Sequence, residues 1–157
     1  MLSTPESWAT LGGGIALAGG VIGSAIGIAI AGSAGLATLS TDSKQFRNVI
    51  ILASMPMSQT FYGLIIFVLI LTAAVPRVAE VGGGSGFSVF ACALLAALSF
   101  SISAAWKGDV LASGIALLPK TKGRILTNSL MLAVFVELIS VLGLVFTILA
   151  LNMLGLM

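Results

Sequence analysis

Four apolar runs dominate this chain, roughly Leu11–Leu39, Val49–Val75, Phe87–Leu118 and Ile125–Leu151. Each exceeds the ~20 residues that a helix needs to cross a bilayer. Hydrocarbon offers the backbone no hydrogen-bond partners, so runs of this kind span it as helices. The runs predict an all-α membrane protein with four transmembrane helices. Composition points the same way, with 59% hydrophobic and 8% charged residues in 157. A soluble fold of that composition would expose large apolar patches to water. Histidine is absent and Cys92 is the single cysteine, which excludes an intrachain disulfide and the commonest metal-ligand sets. A net charge of +2 without a basic stripe excludes nucleic acid as a partner. The start, Met1 to Glu6, carries no basic n-region, so the first run is expected to be retained rather than cleaved as a signal peptide.

The breaks between the runs are short. Of the seven basic residues, Lys44, Arg47, Lys120, Lys122 and Arg124 lie in the breaks at 40–47 and 119–124, against Arg77 alone in the middle break. The positive-inside rule places those two breaks in the cytoplasm and both termini outside. The middle break, Pro76 to Gly86, reads as a glycine-rich flexible linker. The halves look like a tandem repeat, with residues 1–80 and 81–157 each forming one helical hairpin of the same orientation. A shift of 80 aligns Asn48 with Asn128, Leu52 with Leu132 and Gly63 with Gly143. A shift of 79 aligns Ser24 with Ser103 and Gly35 with Gly114.

Gly19, Gly23, Gly27, Ala31 and Gly35 recur every four residues, so one face of the first helix has almost no side chains. Such stripes let helix backbones approach closely. The third run carries a weaker version at Ala93, Ala97, Ser101 and Ala105. Two small-faced helices, one per hairpin, suit the inner wall of a ring of subunits, and the five residues of the first stripe are read as ring packing. Packing within a single four-helix bundle is the alternative.

Glu137 is the most informative residue. It lies 13 residues beyond Arg124. At a rise of ~1.5 Å per residue this puts it ~20 Å into the fourth helix, near the bilayer centre. An unpaired carboxylate there costs at least ~2.5 kcal/mol, so it must be protonated, paired or holding a cation. Met55, Ser58, Gln59 and Tyr62 share one face of the second helix at similar depth, Gln59 being 12 residues past Arg47. Pro56 removes a backbone donor and is expected to free the Leu52 carbonyl. Hydroxyl, amide and carbonyl oxygens are hard ligands fit for an alkali cation, and the Tyr62 hydroxyl can donate to the carboxylate.

The run Met55-Pro56-Met57-Ser58-Gln59-Thr60-Phe61-Tyr62-Gly63, followed by a helix with Val136-Glu137 and Leu142-Gly143, resembles the proteolipid (K or c) subunit of V/A-type rotary ATPases in its double-hairpin form. The resemblance spans essentially the whole chain. It implies a homo-oligomeric ring in the membrane lipid of a prokaryotic cell, turning against a stator a/I-type subunit and joined to a central stalk. Glu137, with Gln59, Ser58, Met55 and Tyr62, would bind the transported Na+ or H+, coupled to ATP hydrolysis or synthesis in a separate headpiece. It further implies a non-catalytic subunit without a covalently bound cofactor, in keeping with the lack of a Gly-x-x-x-x-Gly-Lys-[Ser/Thr] phosphate loop. Met57 stands opposite Glu137 in the repeat, so the first hairpin lacks a carrier. The third helix departs from the pattern. Sodium-type relatives offer a second glutamine where this chain has Lys107, a candidate modulator of the site. Lys107 could pair with Glu137, snorkel, face the ring interior, or meet Asp109 of a neighbour. The ligand set leans slightly to sodium, with the proton open. A small four-helix secondary transporter driven by one membrane glutamate is the rival reading, and Trp8 and Trp106 give it little aromatic lining.

Overall fold

The computed structural model describes residues 4–157, and Met1–Ser3 of the non-basic start lie outside it. Four long helices follow one another: α1 Pro5–Thr41, α2 Ser43–Val81, α3 Ser85–Thr121 and α4 Leu126–Met153. No strand occurs among the described residues. All four helices are long and apolar enough to cross a membrane. The first three begin before their apolar runs, because the polar flanks continue the helix rather than ending it.

The middle break is much shorter than the sequence suggests. Helix α2 continues through Pro76 and Arg77 to Val81, and α3 starts at Ser85, which leaves Gly82–Gly84. Gly82 and Gly83 adopt φ of 67° and 60°, the left-handed region open to glycine, so the expected linker is a tight turn. Two prolines leave their mark inside α2. A 3₁₀ turn at Met55–Met57 holds Pro56, and a π turn at Ile70–Ala74 precedes Pro76. Both irregularities take up the donor that proline lacks and the room its ring needs.

Helices α1 and α3 form the close-packed centre. A Cβ added at Gly19 would lie 2.6 Å from the Ala97 Cα, and one at Gly23 would lie 2.5 Å from the Ser101 Cα. The backbones of Gly27 and Gly108 meet directly. Gly35 instead accommodates Val49 of α2, where an added Cβ would lie 2.6 Å from Cγ1. Gly19, Gly23, Gly27, Ala31 and Gly35 are all buried within the single chain. Within the single chain the stripe brings α1 onto α3 and α2, the packing that the sequence left as the alternative.

The half-to-half correspondence appears in the contacts. Ser24 donates to the Pro56 carbonyl at 2.7 Å, and Ser103 donates to the Val136 carbonyl at 2.7 Å. These bonds stand at the offsets of 79 and 80 read from the sequence. Gly35 against Val49 and Gly114 against Ser129 form a second equivalent pair. At the far end, an added Gly123 Cβ would lie 2.9 Å from Asn48 Nδ2, so the two basic breaks share one end of the bundle.

Two apolar clusters fill the interior. One gathers Ile66, Ile70, Phe100 and Leu151, and the other gathers Leu52, Leu111, Ile115 and Ala133. Apolar side chains such as Ile26, Phe61, Leu98 and Phe135 cover the outside, as a bilayer requires. The level between the clusters is polar.

Candidate functional site

Three helices meet at that polar level. The irregular turn of α2 presents Ser58, Gln59 and Tyr62, α3 presents Lys107, and α4 presents Glu137. Tyr62 Oη donates to Glu137 Oε1 at 2.9 Å. Lys107 Nζ lies 3.3 Å from Glu137 Oε2 and donates to Ser58 Oγ at 2.8 Å. The Ser58 hydroxyl faces Gln59 Oε1 at 3.0 Å and the Met55 carbonyl at 3.2 Å. Gln59 Nε2 closes the network on Ser140 Oγ at 3.3 Å. No buried side-chain nitrogen or oxygen among the described residues lacks a partner. In a low-dielectric interior that completeness matters, because each unpaired polar atom is costly.

The structure thus places together the residues that the sequence singled out, with two differences. The Leu52 carbonyl is not free: the 3₁₀ turn directs the Met55 N–H to it. The Met55 carbonyl is also engaged, by the Ser58 side chain and by the Ser58 N–H. The 3₁₀ turn therefore ties up the carbonyls around Pro56 instead of presenting them, and the Pro56 carbonyl is held by Ser24 of α1. Lys107 resolves in favour of one of its four readings. It is fully buried and paired with Glu137, while Asp109 is exposed on another face of α3. Ser140 escaped the sequence reading. Its position three residues after Glu137, on the same helix face, was the available signal.

Exposure divides the site. Lys107 and Gln59 are wholly buried, whereas the Glu137 side chain keeps 17% of its surface open. Glu137, Ser58 and Tyr62 are the partly open members of the network, and the Tyr62 ring that donates to Glu137 lies with its centroid 6.1 Å from that of Phe100. Backbone anchoring is firm on both sides, with Ser103 bonded to the carbonyl that precedes Glu137 and Ser24 to the carbonyl of Pro56.

Residues 11–70, covering most of α1 and of α2, match the family model for the C subunit of ATP synthase. A relative in Methanocaldococcus jannaschii, "A-type ATP synthase subunit K", is 36% identical over 91 residues, which is 54% of this chain and 40% of the relative. Over these residues the chain is similar to the ATP synthase C-type proteolipids. Its four-helix architecture and length fit the double-hairpin form of these c/K-type proteolipids, which are non-catalytic subunits of their complex. The chain spans less than half the length of the archaeal relative. The family-model match ends at residue 70, so it includes Ser58, Gln59 and Tyr62 but neither Lys107 nor Glu137.

Proposed function

We propose that this chain is a c/K-type membrane rotor-ring subunit of an A/V-type ATP synthase or ATPase, and that Glu137 carries the transported monovalent cation. The observation that bears most weight is a partly open carboxylate in the fourth span, held by Tyr62 and Lys107 and backed by Ser58 and Gln59. Intramembrane ionisable residues are expensive, and placing one where it meets the outer surface serves exchange rather than stability. In this reading copies of the chain form a ring in the cell membrane. A stator subunit delivers and removes the ion as each Glu137 passes, and a central stalk links the ring to a nucleotide-hydrolysing or nucleotide-forming headpiece. Helix orientation follows the basic breaks, with 40–47 and 119–124 toward the cytoplasm. The family match favours this over the secondary transporter.

The test is Glu137→Gln in the assembled complex. Glutamine keeps shape and hydrogen bonding but cannot cycle its charge. Rings should still form, and ion-coupled ATP turnover should be lost. Ion pumping at the wild-type rate would remove Glu137 as carrier.

A further inference from the structure

We propose that the Lys107 ammonium is a tethered cation that fills the alkali-cation position of this site and closes it to sodium. The inference rests on the reading of Glu137 as carrier and adds which ion the site can admit. An alkali cation at this level would need the Glu137 carboxylate and the oxygens of Ser58 and its neighbours to converge on one point. Two of those oxygens, Glu137 Oε2 and Ser58 Oγ, already converge on Lys107 Nζ, at 3.3 and 2.8 Å. An ammonium suits the place, being a compact charge with three donors and no acceptor.

The helix that carries Lys107 cannot withdraw it easily. Gly108, the next residue, packs its backbone against Gly27, and Ser103 on the preceding turn is bonded to Val136 at 2.7 Å. Lys107 is entirely buried, so its charge has no aqueous alternative nearby. The groups that face it complete the charge account. Helix α4 supplies the Glu137 carboxylate and α2 supplies Ser58, Gln59 and the neutral Tyr62 hydroxyl. Helix α1 brings Gly23, Ser24 and Gly27 to this level, none of them ionisable, and Asp109 of α3 is exposed on a different face. One positive and one negative charge leave the site neutral with no ion bound.

Sodium would therefore enter beside a fixed positive charge. Two unit charges ~4 Å apart in a partly screened protein setting weaken binding on the order of a thousand-fold. Sodium would also have to displace the ammonium from two oxygens. The sequence leaned to sodium on the ligands of α2, and the placement of Lys107 reverses that lean. With alkali cations shut out, the proton is the ion left for Glu137.

The experiment follows consumption of the Glu137 carboxyl by dicyclohexylcarbodiimide in the purified ring. Sodium is raised at fixed pH, with choline holding the ionic strength. In the wild type and in Lys107→Arg, sodium should not slow the reaction. In Lys107→Gln, which removes the charge and adds an amide oxygen, sodium should slow it at least tenfold. Sodium protection of the wild type would overturn the inference, and so would unprotected reaction of Lys107→Gln. Failure of the carrier reading looks different: Glu137 would stay unmodified in every protein. Should Lys107→Gln not assemble, the wild-type ring still decides through its product. The Glu137 carboxyl adds across the carbodiimide. Lys107, left as a neutral amine by having passed one proton to that carboxyl, then attacks the acyl carbon, and its second proton goes to the departing isourea nitrogen, so that the urea leaves and an amide joins the two side chains. Mass spectrometry should find the two peptides joined with loss of one water, and a urea adduct alone would refute the pairing.

Discussion

Gly27→Ala would place a methyl group where three helices converge. The added Cβ would lie 2.7 Å from the Pro56 Cβ and would press on the Ala104 carbonyl oxygen. Carbon atoms pack at ~3.5–4.0 Å, so the neighbours must move by about 1 Å. Pro56 and Ala104 precede Ser58 and Lys107 by two and three residues on their helices. A shift of ~1 Å would carry the Lys107–Ser58 bond from 2.8 Å past the ~3.5 Å at which a hydrogen bond is lost. Overpacking costs ~1–3 kcal/mol, and a lost bond to a charged group adds ~1.5–3 kcal/mol. Alanine returns about 1 kcal/mol through its higher helix propensity. The net expectation is a loss of about 1.5–5 kcal/mol. The assay is unfolding of the purified protein in mixed micelles of increasing dodecyl sulfate content, with Gly14→Ala as control. A Cβ at Gly14 meets nothing within 4 Å in the chain, so that variant should be neutral or slightly stabilised. Equal stability of the two variants would refute the assignment of the stripe to contacts inside one chain.

Further outcomes follow from the same contacts. Dicyclohexylcarbodiimide should modify Glu137 and spare Glu6, Asp42, Glu80 and Asp109, as read by peptide mapping; dominant modification of Asp109 would reverse the ranking of the two membrane acids. Tyr62→Phe removes the 2.9 Å bond to Glu137, worth ~1.5–3 kcal/mol for a charged acceptor, and should slow ion-coupled turnover about tenfold or more in rings that still assemble. Ser24→Ala and Ser103→Ala break the two equivalent bonds and should each cost ~0.6 kcal/mol, the average for interhelical bonds in membranes. Only Ser103→Ala, beside Glu137, should also alter the rate of carbodiimide modification.

What could be read from the sequence was what depends on length along a helix. Run lengths gave the four helices, and counting from Arg47 and Arg124 put Gln59 and Glu137 at one depth, where the network of Ser58, Gln59, Tyr62 and Glu137 lies. The helix ends were less legible, since Pro76 and Arg77 look like a break and yet a π turn carries α2 through them. The small-residue stripe showed that a backbone comes close to α1 without showing which one. Contact with a neighbouring copy and contact with α3 make the same demand on the sequence, namely the absence of side chains at Gly19, Gly23 and Gly27.

Rotation about the helix axis was the quantity that the sequence withheld, and Lys107 depends on it. Successive residues turn by ~100°, so Lys107 and Asp109 point ~200° apart, and depth alone cannot say which of them meets Glu137. The structure fixes the rotation at Gly108. An added Cβ there would collide with the Gly27 backbone, so this face of α3 must lie against α1. With Gly108 toward α1, Lys107 turns toward α2 and α4 and Asp109 turns outward. A helix rotated to present Asp109 to the site would set two carboxylates together and push a lysine into lipid, which repulsion and desolvation both oppose. The glycine pair at the α1–α3 contact thus does more than permit close packing. It selects which charge stands beside Glu137.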